Sequence, residues 1–190
     1  MNKQNVDSHL QRSWGWTVAY GIIVVLRIIV PLLIWFSPFL ITVIAIFLDA
    51  IDVEFACRRV LTKKQYQDFD KALDYWWFTN AFVFAVISWP EYRILMLGLF
   101  LIRTVADVLF RLTKKRIYYF YFPNFFENVF VLILVGRTFW QTQILDKPTV
   151  FWSLFVLVCA VKLFQEWFIH VAQYSVEENV LKKKRAWMPE

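Results

Sequence analysis

Glycine is scarce in this chain, at four residues in 190; cysteine is scarcer, at two, and charged residues make up only 19%. So few glycines exclude a collagen-like repeat and leave no glycine-rich phosphate loop. Cys57 and Cys159 each sit in an apolar stretch and make neither a disulfide scaffold nor a metal site of the usual spacing. No serine or cysteine nucleophile stands in a recognisable catalytic pattern. What the sequence has instead is apolar mass, 59% hydrophobic and 20% aromatic, which excludes a disordered chain. At this length it reads as one domain, residues 1–190.

The apolar residues fall into six runs: Trp16 to Phe36, Pro38 to Cys57, Asp70 to Trp89, Tyr92 to Leu112, Phe122 to Trp140 and Trp152 to Val171. A helix of about 20 residues, rising about 1.5 Å per residue, covers a hydrocarbon core of about 30 Å. The expectation is therefore an all-α integral membrane protein of six transmembrane helices. The first run follows a charged start, Lys3 to Arg12, with no small-residue cleavage site after it, and reads as a retained span. Residues 1–14 and the basic tail 174–190 flank the runs.

Of the 21 Lys and Arg residues, Arg27, Arg103 and Lys162 lie inside the runs and Arg93, Arg137 and Lys147 at their outer ends; all the others gather on the opposite side. The positive-inside rule makes that side cytoplasmic, with both termini on it. Trp35, Trp89, Trp140 and Trp152 at the outer ends, and Trp14 and Trp16 at the inner start, read as interfacial belts. The net charge of +6 is thus mostly topology, and its partner is anionic membrane lipid, with no nucleic acid implied. The membrane is taken to be the plasma (inner) membrane.

Charge inside the runs is where chemistry is expected. Pro38 to Leu48 is too short to span alone, so the second helix carries Asp49 and Asp52 inward. Measured from each outer end, Arg27, Arg103 and Lys162 lie about 15 Å deep, and Asp52, Asp74, Asp107, Glu127 and Glu166 about 20 to 24 Å. All fall in the cytoplasmic half. Facing lipid there, each would cost up to about 2.5 to 3.5 kcal/mol, so they are expected to line a polar cavity open to the cytoplasm. The acids outnumber the bases, which bound divalent cations would balance. Arg103 with Asp107, and Lys162 with Glu166, are also spaced i, i+4 and read equally as local ion pairs.

Asp49 and Asp52 share one helix face, and so do Asp70 and Asp74 on the next helix. Only a short basic loop, Arg58 to Lys64, separates the helices, so a hairpin brings the carboxylates to one depth. Their mutual repulsion is relieved if hard divalent ions sit among them.

Residues 49–74, DAIDVEFACRRVLTKKQYQDFDKALD, resemble the signature D-x2-D-G-x2-A-R-x8-G-x3-D-x3-D of the CDP-alcohol phosphatidyltransferases, six-helix membrane enzymes. Asp49, Asp52, Asp70 and Asp74 fall in register without a gap, with Ala56 at the alanine. Arg27 followed by Pro31, and the run IRTVADVLFR, add weaker echoes. Val53, Cys57 and Tyr66 replace the two motif glycines and the arginine, and Thr104 stands where one branch has glutamate.

The resemblance implies transfer of a phosphatidyl group from a CDP-linked lipid to an alcohol, releasing CMP. It implies two divalent ions, magnesium or manganese with calcium as a substitute, held by Asp49, Asp52, Asp70 and Asp74. Asp74 would be a ligand or the catalytic base. Ala56 belongs to the donor-binding segment, where Arg58 or Arg59 would supply the missing guanidinium. Arg103 and Arg111 would hold an anionic acceptor such as a polyol phosphate. Family members are commonly homodimers. The replaced motif positions support an alternative, a catalytically degenerate homologue acting as a membrane binding or structural protein. A prenyltransferase would need more helices and widely separated motifs; a transporter would show paired broken helices.

Overall fold

The computed structural model describes residues 14–58, 60–115, 117–140, 147–172 and 187. The segment before Trp14, Arg59, and all of the basic tail except Trp187 lie outside the described residues. Among the described residues there are seven α-helices: α1 Trp14–Ile29, α2 Pro38–Ala56, α3 Lys63–Ser88, α4 Arg93–Thr113, α5 Ile117–Tyr121, α6 Phe125–Phe139 and α7 Pro148–Glu166. Among the described residues no strand occurs.

Local chemistry sets the boundaries. Pro31 has no N–H to give to the carbonyl of Arg27, and α1 tightens there into a 3₁₀ turn, Val30–Trp35. Pro38 opens α2 and Pro148 opens α7, at first-turn positions where a missing N–H costs nothing. A capping box starts α3: Gln65 N–H donates to Thr62 Oγ1 at 3.2 Å, and Thr62 N–H to Gln65 Oε1 at 3.1 Å. The helix thus begins seven residues before Asp70, and Lys63 and Lys64 belong to its first turn instead of to the expected loop. Lys114, at φ 58°, closes α4. The short α5 was not anticipated.

Among the described residues two segments are long and apolar enough to cross a membrane: Trp14–Trp35, with mean hydropathy 2.4, and Pro148–Glu166, with 1.6. The helices α2, α3 and α4 carry the charges that lower their apolarity, and α6 has only 15 residues. Several charges across the bundle point inward. Arg27, Asp52, Arg103, Asp107, Lys162 and Glu166 are buried, while Val25, Leu40, Phe47, Ile94, Leu101 and Phe164 are among many large apolar side chains left exposed. A water-soluble domain has the reverse distribution.

One end of the bundle is an aromatic solid. Phe126, Phe130, Ile133 and Val129 of α6 pack against Phe78, Phe84, Met96 and Leu99, with Phe82 stacked on Phe100 at 4.4 Å. Trp89 joins this core, 4% exposed, its ring 5.1 Å from that of Phe130. That corrects its expected place in an interfacial belt, since rings of Phe84 and Phe130 enclose it. Trp14, Trp35, Trp140 and Trp152 are exposed.

Candidate functional site

The other end holds the charges. Asp49 and Asp52 come from the last two turns of α2, Asp70 and Asp74 from the first half of α3, and the guanidinium of Arg27 reaches in from α1. Arg27 Nη1 donates to Asp52 Oδ2 and to Asp70 Oδ1, the latter at 3.1 Å. Its Nη2 donates to Asp49 Oδ1 at 2.7 Å and to Asp74 Oδ1 at 2.9 Å. The hairpin expected from the spacing is thus formed, and the four carboxylates meet around one cation supplied by the chain.

Two further donors complete the shell. Lys71 Nζ donates to Asp74 Oδ2 at 2.7 Å and Asp70 Oδ2 at 3.3 Å. Tyr66 Oη donates to Asp52 Oδ1 at 2.7 Å. In that bond the phenol O–H is the donor and the Asp52 carboxylate the acceptor. Both oxygens of Asp52, Asp70 and Asp74 therefore accept from the chain's own donors; Oδ2 of Asp49 alone has none among the described residues. Asp49 is also the most open, its side chain 54% exposed against 1% for Asp52.

Beside the cluster lies a cavity of about 380 Å³. Arg27, Asp49, Lys71 and Asp74 form one wall; Arg103, Asn124, Glu127, Lys162, Gln165 and Glu166 contribute to the rest. Both local pairs are present: Arg103 to Asp107 at 3.4 Å and Lys162 to Glu166 at 2.9 Å. They do not remove Arg103, Lys162 and Glu166 from the cavity wall. Arg103 lies over the Tyr119 ring at 4.6 Å, and among the described residues its buried Nε has no hydrogen-bond partner. Asn124 Nδ2 donates to Glu127 at 3.1 Å.

Other expected contacts lie elsewhere. Arg58 is exposed, 3.9 Å over the Trp16 ring and donating Nε–H to the Glu54 carbonyl at 3.2 Å, so it does not supply the missing motif guanidinium. Arg111 is exposed in the last turn of α4 and does not line the cavity. Ala56 is fully buried, packing with Tyr20 and Val60. Cys57 is buried, its Sγ at 3.5 Å from the Glu54 carbonyl. Sequence reasoning missed Lys71, Tyr66, Tyr119, Asn124 and Gln165 as members of the site. For Asn124 a signal existed, the N-x-x-E spacing to Glu127 at a helix start.

Asp49, Asp70 and Asp74 each offer an oxygen within 4.8 Å of the others, hard donors of the kind a divalent ion takes. The donor set thus fits such an ion once the nitrogens of Arg27 and Lys71 withdraw; Asp52, held by Arg27 and Tyr66, is the least available. Comparison with protein-family models, with curated proteins and with solved structures finds no match to this chain.

Proposed function

We propose that the chain is a six-span membrane protein with both termini cytoplasmic, acting as a metal-dependent phosphatidyltransferase of the CDP-alcohol type. One observation carries the reading. Four aspartates in the motif register converge on Arg27, which with Asp49 and Asp74 lines a cavity inside a bundle whose outer faces are apolar, while Asp52 and Asp70 lie behind that wall. In this reading the bundle lies in the plasma membrane with the cavity on the cytoplasmic side, as the asymmetry of Lys and Arg in the sequence supports.

In the proposed reaction the acceptor hydroxyl oxygen bonds to the lipid-side phosphorus of a CDP-linked lipid, the bond to CMP breaks, and the hydroxyl proton passes to a carboxylate. A divalent ion held by Asp49, Asp70 and Asp74 would neutralise charge on the phosphoryl oxygens and the leaving group. Asp74 is the proposed base. Both its oxygens accept hydrogen bonds, and Lys71, one-third exposed, is the donor freer to leave; Arg27 is only 6% exposed. Arg103, fixed over Tyr119 with an unpartnered Nε, is placed to hold an anionic group of the acceptor.

The test is CMP release by the purified full chain from a CDP-linked lipid, with a panel of alcohols, with and without chelator. Wild type is expected to release CMP only with divalent metal, and Asp74→Asn to lose at least about 100-fold, the usual scale for a general base. Equal turnover by the variant overturns the base role, and no release across the panel overturns the transferase.

A second reading has its own support. The chain's own donors occupy nearly every oxygen of the cluster, as a degenerate homologue without metal would require. Absence of both turnover and metal binding would favour it.

A further inference from the structure

Arg27 matches the aspartate cluster bond for bond. A guanidinium carries two N–H groups on each terminal nitrogen. Here Nη1 donates to Asp52 and Asp70 and Nη2 to Asp49 and Asp74, one N–H for each carboxylate. The side chain is 6% exposed, so this charge is held in place and not solvated. Without a cation at that point, four carboxylates from adjacent helices would repel one another in a buried site. Lysine, a single point charge with three donors, cannot reproduce the planar fork.

We propose that Arg27 is a resident counter-cation that a divalent ion must displace before it can bind Asp49, Asp70 and Asp74. The proposal rests on reading the cluster as a divalent-cation site, and not on turnover. The asymmetry of the shell gives displacement a direction. Asp49, open to the cavity and with a free Oδ2, is the oxygen an incoming ion meets first. Asp70 and Asp74 become available as Arg27 and the more exposed Lys71 withdraw. Asp52 keeps Tyr66 as its donor throughout. The site is then stable without metal and binds metal more weakly than its acid content suggests.

The test is Mn2+ binding by the detergent-purified full chain, followed through the electron paramagnetic resonance of free Mn2+, in wild type, Arg27→Gln, Lys71→Gln and Arg103→Gln. Displacement lowers apparent affinity by the fraction of chains in which the site is open, so Arg27→Gln is expected to bind at least about tenfold more tightly than wild type. Lys71→Gln should fall between the two. Arg103→Gln removes the same charge from the same cavity but bonds to none of the four aspartates, and should change affinity by less than about threefold, the share of screened charge alone.

Equal affinity in wild type and Arg27→Gln overturns the proposal, as does an equal gain in Arg103→Gln or a lack of Mn2+ binding by every chain. Should Arg27→Gln not fold, Lys71→Gln decides: binding no tighter than Arg103→Gln overturns it. Mn2+ binding with these differences but no CMP release sinks the transferase alone; CMP release with equal affinities sinks the displacement alone.

Discussion

The two ends of the bundle solve opposite packing problems. At one end Phe126, Phe130, Val129 and Ile133 fill the space between helices with rings and branched side chains, and none is more than 1% exposed. At the other, four aspartates, Arg27 and Lys71 are held by hydrogen bonds beside a cavity of about 380 Å³. Dispersion contacts are many and individually weak, so the aromatic end tolerates no void, and only its edge, at Trp77 and Phe78, borders the cavity. Charged bonds are few and exchangeable, so the polar end can trade one cation for another. The difference separates what holds the helices together from what could act, and substitutions at each end should have different signatures.

The largest stability effect is expected from Phe130→Ala. Phe130 is 1% exposed and its ring meets those of Trp77, Phe84, Trp89 and Phe126. Emptying that position should cost about 3 to 5 kcal/mol. Thermal unfolding in detergent should show the loss, while Mn2+ affinity well below the transition stays as in wild type. A changed affinity would mean that the two ends are mechanically coupled and that the comparison fails.

At the polar end the corresponding change is Tyr66→Phe, which deletes the hydroxyl that donates to Asp52 at 2.7 Å and little else. A hydrogen bond to a charged group is worth about 1.5 to 3 kcal/mol. The expected signature combines a moderate loss of stability with a change in Mn2+ affinity, because Oδ1 of Asp52 becomes free. A loss of stability without that change would make the Tyr66 hydrogen bond a brace for Asp52 that has no bearing on the ion.

The polar end was largely legible in the sequence, though its chemistry was less so. Spacings of three and four residues on two helices with a short hairpin between them suffice to predict that Asp49, Asp52, Asp70 and Asp74 converge, because helix geometry fixes the faces. The same rise of about 1.5 Å per residue placed the Arg27 backbone several ångströms short of Asp52 and Asp74, a gap that its long side chain spans. That Arg27 would bond all four carboxylates depends on the tilt of α1 against α2 and α3, which no local spacing encodes. Lys71 read as a topology charge because it follows Asp70 and starts on a different face; its long stem brings the ammonium round to two aspartates. Tyr66 registered only as a missing glycine, since its partner lies 14 residues away across the hairpin. Trp89 was misplaced because its position at a helix end carries no information about the rings that enclose it.

The smallest effect should come from the pair Arg103 and Arg111, eight residues apart on α4, both of which the family resemblance assigns to the acceptor. Arg103 is buried over Tyr119 in the cavity wall, whereas Arg111 is exposed and outside it. An exposed side chain without a defined partner typically changes stability by less than about 0.5 kcal/mol when truncated. Arg111→Ala should therefore leave the unfolding temperature, Mn2+ affinity and any CMP release unchanged, while Arg103→Ala weakens saturation by an anionic acceptor. If Arg111→Ala weakened acceptor saturation as much, the acceptor would have to reach the end of α4, and the cavity bounded by Arg103 would be only part of the working site.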